Sequence, residues 1–347
     1  MFCNFIQACH ILCDSIVGAS YSAGSDLESG EAGRNYLWHG SCTGPTCGEG
    51  RVKPDIVAPG KSLLAARSKP SSYGECDPSQ KIQPGQEADG NSYRYGTSFA
   101  APVVSGAAAL IRQYFMDGFY PSGSGPNGSR SYNPSAALVK AILLNGAQPL
   151  MGKQIENGSI VNMNSLDRGY DAQQGFGRIS LMDSLPLYTN SIKIKAIFYD
   201  RIPISAGEVH QSIVSIDTSN CNSNNGLSVT LAWNDPESAT GCVSCMLSNL
   251  NLVVQRQNDG TMWRGNDIWN QGVFDSTNNV ERVRINSVNQ NHTFIIRVVA
   301  VNLAFAQQRY SLAIAGCPKY EWSSANFNAC PCPLGQFCTG CDNFLAS

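Results

Sequence analysis

The hydrophobic pattern of the chain changes near residue 187. From Arg51 to about Leu187, short apolar runs alternate with helical patterns, which is typical of an α/β sheet. After Leu187 only short β segments follow, separated by polar breaks. Seven strands are expected there, at 192–199, 209–216, 227–233, 252–255, 280–285, 294–301 and 310–315. The pattern therefore predicts an α/β unit followed by an all-β antiparallel sandwich.

The length and composition indicate three parts. The chain has 347 residues, of which 42% are hydrophobic and 14% charged, enough for two globular units. From Cys317 onward the sequence is rich in Cys, Pro and Gly. We expect an incomplete α/β domain over residues 1–187, an independently folding, jelly-roll-like β sandwich over 188–316 and a truncated, disulfide-rich tail over 317–347.

One strand and two helices of the α/β unit are strongly marked. Residues 55–60 have the pattern of a buried strand that ends at a turn. A helix is expected from Ser98 to about Phe115, because small apolar residues recur there at helical spacing. The second helix is expected to have Asn133 as its N-cap, Pro134 at its first position and Gly146 just past its end.

Charge and hydropathy exclude two classes of partner. The formal net charge is -2, and no long run of Lys or Arg provides a surface for nucleic acid or anionic lipid. No stretch approaches the roughly 18 apolar residues that a membrane helix needs. The opening residues 1–14 have no cationic start and are interrupted by polar side chains, so we do not expect a cleavable signal peptide. The sequence leaves the oligomeric state open.

The cysteine content predicts an oxidising compartment. Fourteen cysteines are too many for an ordinary cytosolic enzyme. Three glycosylation sequons, which begin at Asn127, Asn157 and Asn291, agree with an extracellular or secretory-lumen protein. The spacings Cys242-x-x-Cys245 and Cys338-x-x-Cys341 would also suit zinc, but in a secretory context disulfides are the expected state.

The segment Gly96-Thr-Ser-Phe-Ala-Ala-Pro102 is the most informative motif in the chain. It places Ser98 at the start of a buried helix, where unpaired amides and the helix dipole favour developing negative charge. A hydroxyl there can serve as a nucleophile and lie beside an oxyanion site. The alternative is that Ser98 is only the N-cap of its helix, a common use of serine.

This motif resembles the nucleophile segment of subtilisin-like serine proteases, the subtilases. Residues 51–60 precede it at the distance usual in that family, and 175–181 follow the second helix as they do there. Further segments resemble the subfamily with a C-terminal jelly-roll domain, at 229–236, 249–254, 265–267, 278–281 and 310–314. The resemblance covers about residues 15–316 and implies that the α/β unit is the C-terminal half of a subtilisin-like, parallel-sheet domain. It implies a serine endopeptidase that acts on polypeptides through an acyl-enzyme on Ser98 and requires no cofactor.

The catalytic partners that a subtilase needs are not recognisable. The family places an Asp and a His before the serine, with the His as general base. His39 precedes a glycine as the family's His does, but it lies too close to Ser98 and is expected in a surface loop. His10, Asp14 and Asp26 also precede the serine but lack the family's neighbouring residues.

The glycine-flanked asparagine that completes the family's oxyanion hole should lie just before residues 15–20, where the given sequence begins. No such segment is visible. An absent first half would also supply central strands and covering helices, so we expect an exposed sheet edge and core face. We therefore interpret the chain as a fragment of a longer protease that does not itself turn over peptides.

Calcium is common in subtilases and their β domains, so the resemblance makes it compatible with this chain. Asn234, Asp235, Asn249 and Asn251 provide oxygen donors in the corresponding stretch. Too few of these are carboxylates to assign a metal site.

Two functional hypotheses remain open. In the first, the chain is part of an endopeptidase whose upstream sequence supplies the Asp and the His. In the second, it is a catalytically inactive remnant that serves as an extracellular binding or adhesion module, built from the sandwich and the Cys-rich tail. In-frame Asp and His motifs upstream of Met1 would favour the first. A genuine start and stop at the present ends would favour the second.

Overall fold

The structure, a computed structural model, describes residues 16–22, 33–46, 50–66, 91–154, 159–163, 170–187, 194–219, 221, 226–239, 242, 245–267 and 271–319. The first seven strands are β1 (Val17–Tyr21), β2 (Tyr36–Leu37), β3 (Ile56–Lys61), β4 (Leu63–Ala66), β5 (Asn91–Arg94), β6 (Gly152–Gln154) and β7 (Ile160–Asn162). Five of them form one sheet in the order β3–β1–β2–β6–β7. The pairs β1–β3 and β2–β6 are parallel, while β1–β2 and β6–β7 are antiparallel. The expected sheet is therefore present, but it is mixed rather than parallel throughout.

Two helices pack with this sheet, α1 (Thr97–Met116) and α2 (Ala136–Asn145). Helix α1 matches the helix expected at 98–115. Its buried face consists of Ala100, Val104, Ala107, Ile111, Tyr114 and Phe115. Val103, Leu110 and Met116 of this helix are exposed to solvent. The small side chains of the buried face allow the helix to approach strands β1 and β3 closely.

The expected start of α2 is wrong by two residues. Its N-cap is Ser135, whose hydroxyl accepts a hydrogen bond of 3.0 Å from the amide of Leu138, and neither Asn133 nor Pro134 takes the predicted role. The carboxylate of Asp200 accepts a 2.9 Å bond from the Ser135 amide and so selects this residue as the cap. Gly146 follows the last helical residue, as predicted.

The second half of the described chain is a β sandwich. Its strands are β8 (Lys195–Ser205), β9 (Val209–Ser215), β10 (Leu227–Trp233), β11 (Asn249–Arg256), β12 (Met262–Arg264), β13 (Val280–Ile285), β14 (Thr293–Asn302) and β15 (Gln307–Gly316). They form two four-stranded sheets, β13–β10–β15–β8 and β12–β11–β14–β9, in which every pair is antiparallel. The predicted fold class is confirmed. The short strand β12 was not predicted.

The first sheet of the sandwich is buried on both faces. Every residue of β10 is buried, because alternate side chains point to different layers. Leu227, Val229, Leu231 and Trp233 join the core between the two sheets. Ala232 joins the core that also contains helices α1 and α2. The sheet is therefore the middle of three layers, with α2 on one side and the second sheet on the other.

Two disulfides lie in or beside the sandwich, Cys221–Cys317 and Cys242–Cys245. The second agrees with the disulfide interpretation of that spacing. The pair Cys338 and Cys341 lies outside the described residues, as does the tail from residue 320. The boundary at 187/188 stays a prediction, because residues 188–193 are also outside them. Among the described residues no helix is long and apolar enough to cross a membrane.

Candidate active site

Ser98 is the second residue of helix α1 and its side chain is exposed. The N-cap is Gly96, and no side chain makes a capping hydrogen bond. The hydroxyl of Ser98 therefore does not cap its own helix. None of the described residues forms a hydrogen bond with this hydroxyl.

Two glycines fix the entry to this helix. Gly96 has φ 141°, a conformation that side-chain-bearing residues rarely adopt. Its amide donates a 2.7 Å hydrogen bond to the carbonyl of Gly60, at the end of β3. A Cβ added at Gly60 would lie 2.7 Å from the Cβ of Ala19. The contact of strand and helix therefore requires glycine, and it places Ser98 at the end of the sheet.

Pro102 lies four residues after Ser98 within the same helix. Because proline has no amide hydrogen, the carbonyl of Ser98 lacks the usual helical donor. The amide of Phe99 donates a 3.0 Å bond to the carbonyl of Gly96, and the amides of Thr97 and Ser98 have no acceptor inside the helix. Free amides at the positive end of a helix dipole are the kind of group that can stabilise an oxyanion.

None of the three described histidines hydrogen-bonds Ser98. His39 lies exposed in a turn, with its ring 5.5 Å from that of Trp38. His210 bonds the hydroxyl of Tyr310 at 3.0 Å, and His292 accepts a bond from a backbone amide. The other candidates, His10, Asp14 and Asp26, lie outside the described residues.

A cluster of two aromatic rings and one cation lies beside the start of helix α1. The ammonium of Lys61 is 4.4 Å from the ring centroid of Tyr95 and 5.9 Å from that of Trp38. The two rings meet edge to face at 5.7 Å. Sequence reasoning missed this cluster, although Tyr95 directly precedes Gly96 and Lys61 directly follows Gly60.

Asp55 is a second feature that sequence reasoning missed. Its buried carboxylate contacts the ammonium groups of Lys53 at 2.6 Å and Lys140 at 3.5 Å, and accepts a 2.7 Å bond from the amide of Ile16. Burial by itself would raise the pKa of Asp55, but the two lysines and the hydrogen bonds lower it overall. The carboxylate thereby joins β1, β3 and α2. The sequence feature that could have revealed this residue is an Asp immediately before a buried strand.

The four calcium candidates of the sandwich differ in their bonding. Both oxygens of Asp235 accept backbone bonds, from Leu247 at 2.7 Å and Ser248 at 2.8 Å. The side-chain oxygens of Asn249 and Asn251 are buried and have no partner in the described part of the chain. Asn234 is exposed. Within the described residues no three His, Cys, Asp or Glu side chains form a metal cluster.

An exposed serine lies at the start of a helix at the end of the α/β sheet, and a β sandwich follows in the chain. Residues 16–177 match the model of the subtilase family. Over this part the chain belongs to the subtilases.

Several curated proteins resemble the chain over a longer stretch. The serine protease/ABC transporter B family protein tagA of Dictyostelium discoideum is 31% identical over 287 residues, which are 79% of this chain and 15% of that protein. The corresponding protein tagD is 25% identical over 350 residues, 90% of this chain and 19% of its own length. The serine protease AprX of Bacillus subtilis is 40% identical over 78 residues, 22% of this chain and 16% of AprX. The chain thus spans less than a fifth of these relatives.

Proposed function

We propose that this chain contributes the nucleophile segment of a serine endopeptidase of the subtilase type, with Ser98 as the nucleophile. The observation that carries the proposal is the position of Ser98, exposed in the first turn of α1 without a capping bond. The family match over residues 16–177 supports the same reaction class.

In this mechanism the Ser98 oxygen attacks the carbonyl carbon of a peptide bond while a general base takes the hydroxyl proton. The negative charge on the carbonyl oxygen is stabilised by amides of the first helical turn. The intermediate then collapses as the C–N bond breaks, and the amine leaves with the proton from the base. Water hydrolyses the resulting ester and restores the hydroxyl.

The base and its orienting carboxylate are the parts of this mechanism that the described residues do not supply. We propose that an upstream segment of the longer protein provides the His, the Asp and the oxyanion asparagine. Such a segment would have to reach the exposed start of α1, where Ser98 lies. The substrate is then a polypeptide.

The compartment of the proposed enzyme is extracellular or the lumen of the secretory pathway. Two disulfides, Cys221–Cys317 and Cys242–Cys245, support this location, because such bonds are rare in the cytosol. The asparagines of two sequons, Asn127 and Asn291, are exposed and could accept a glycan.

Calcium binding to the sandwich is a further proposal. A buried amide oxygen without a hydrogen bond is costly, and Asn249 and Asn251 each have one. Amide oxygens are ligands that Ca²⁺ prefers, and a bound ion would remove the free-energy cost of leaving these oxygens without a hydrogen bond. Titration calorimetry of the chain with Ca²⁺ should detect binding that Asn251→Ala weakens. An unchanged heat for that variant would exclude Asn251 as a ligand.

Hydrolysis assays on two forms of the protein test the proposed reaction. The chain as given is expected to leave casein and a peptide ester intact. A form extended by any in-frame upstream coding sequence that carries Asp and His motifs is expected to hydrolyse both. Ser98→Ala should abolish that activity, whereas the matched control Ser105→Ala, on the same helix, should keep it.

Turnover that survives in Ser98→Ala would remove Ser98 from the mechanism. A transcript with a genuine start and stop at the present ends would favour the binding-module hypothesis. Turnover by the chain alone that is lost in Ser98→Ala would show that its own residues include a working base.

A further inference from the structure

The N-terminus of helix α2 is held by a carboxylate from the sandwich. Asp200, on strand β8, is fully buried and accepts a 2.9 Å bond from the amide of Ser135 and a further bond from its hydroxyl. The hydroxyls of Tyr132 and Ser311 each donate to it at 2.7 Å, and Arg201, the next residue of β8, forms an ion pair with it at 2.8 Å. A negative charge at this end of a helix is stabilised by the helix dipole.

The opposite end of α2 is held by two cations from strand β13. The guanidinium of Arg282 donates to the carbonyl of Leu144 at 2.8 Å and is fully buried. Arg284 donates to the carbonyl of Ala147 at 3.1 Å and to the side chain of Gln148 at 3.1 Å. Arg282 thus adds a charged donor to a carbonyl of the last turn, and Arg284 binds the segment directly after the helix. Both charges have the favourable sign for this end of the helix dipole.

Between the two ends the helix and the sheet fit closely. The outward-facing side chains of the first sheet that pack in this layer are mainly small, namely Ala196, Phe198, Ala232, Ala313 and Ala315. The amide oxygen of Asn145 accepts bonds from the hydroxyls of Ser228 at 2.8 Å and Thr230 at 2.9 Å. Small side chains let the helix lie near the sheet, and the hydroxyls fix its register.

We propose that α2 is the docking helix of the β sandwich, bound through a charge clamp that matches its dipole. The α/β unit and the sandwich then fold and unfold as one cooperative unit. Helix α1, which carries Ser98, shares a core with α2 and belongs to the same unit. This inference goes beyond the proposed function and does not depend on it.

The clamp has a consequence for the sandwich on its own. Without α2, Asp200 would lose its bonds to Ser135 but keep those to Arg201 and Ser311, and Arg282 would lose the carbonyl of Leu144. Lost hydrogen bonds to buried charged groups and an uncovered apolar sheet face are both unfavourable. The proposal therefore predicts that residues 188–316 do not fold independently, contrary to the expectation from the sequence. It also makes the outer face of this sheet an internal interface.

Native-state hydrogen exchange on the full chain tests the proposal, read by mass spectrometry. The variant is Arg282→Met, which keeps much of the side-chain volume and removes the hydrogen-bonded charge. Its effect is compared between peptides of α1 and peptides of β11 and β14, which lie in the far sheet. Hydrogen bonds to a charged group change the opening equilibrium by roughly ten- to a hundredfold.

The expected result is that Arg282→Met lowers protection by the same factor in α1 and in the far sheet. The control Arg256→Met, on β11 in an exposed ion pair with Asp259, should change neither set comparably. Loss of protection confined to α1 and α2 would overturn the proposal, as would no loss in either set.

Arg282→Met could fail to fold. Ser228→Ala, which removes one hydroxyl from Asn145, then gives the same comparison at a smaller magnitude. Equal loss in both sets supports one cooperative unit, and unequal loss contradicts it.

Discussion

Replacement of Asp55 by Asn should destabilise the protein strongly although it replaces only one heavy atom. The carboxylate faces Lys53 at 2.6 Å and Lys140 at 3.5 Å, and its side chain is 6% exposed. Lys140 is also nearly buried, with 9% of its side chain exposed. Asp55→Asn keeps an oxygen for the amide of Ile16 but removes the charge that balances two ammonium groups.

The size of the effect follows from burial. Removing one partner of a buried ion pair costs about 3–5 kcal/mol. The lower end, about 3 kcal/mol, is expected because Lys53 is 16% exposed and can turn toward solvent. The pKa of Asp55 is lower in the folded protein than when unfolded, so its stabilisation is present above about pH 4. It is lost as the pH falls through the folded-state pKa.

Urea unfolding at pH 7 and at pH 3, followed by circular dichroism, measures both the magnitude and the sign. The difference between the wild type and Asp55→Asn should be about 3 kcal/mol at pH 7 and smaller at pH 3. Asp259→Asn, in an exposed pair with Arg256, is the matched control and should change stability little. An Asp55→Asn loss no larger than the control's would refute the argument, as would a loss that grows at low pH.

Three further changes test the packing around the site. Ser135→Ala removes the cap of α2 and should cost about 1–2 kcal/mol in urea unfolding, and an unchanged midpoint would contradict the cap assignment. Cys221→Ser opens a disulfide with a sequence separation of 96 and should cost about 4 kcal/mol, and equal thermal midpoints with and without the bond would exclude that contribution. Gly60→Ala puts a Cβ 2.8 Å from the carbonyl oxygen of Gly96, so thermal melting should show a loss of stability. The control Gly128→Ala should not show this loss, because its added Cβ meets no atom and its φ is not positive, and equal losses would show that the contact at Gly60 relaxes without cost.

Much of the fold could be predicted because its strands and helices have clear periodicities. Strand β10 alternates between two cores, and α1 repeats small residues at helical spacing. Strand β12 has three residues, too few to show a period. The start of α2 was predicted wrongly because Asp200, 65 residues from Ser135, selects the cap. Local sequence carries no sign of such a contact.

The candidate site could likewise be predicted only in part. Ser98 could be placed at the start of a helix because the motif and the helix adjoin in sequence. The cluster of Lys61, Tyr95 and Trp38 could not be predicted, because the hydrogen bond between Gly96 and Gly60 brings together segments that are distant in sequence. The clamp on α2 also depends on residues from two separate halves of the chain.

The central claim, that Ser98 is the nucleophile, is tested most directly by covalent labelling. The protein extended by its upstream coding sequence is treated with a fluorophosphonate, and the modified peptide is identified by mass spectrometry. The account predicts one adduct, on Ser98, with loss of hydrolysis in proportion to labelling and no adduct in Ser98→Ala. Full hydrolysis with Ser98 unmodified, or inhibition by an adduct on another residue, would contradict it.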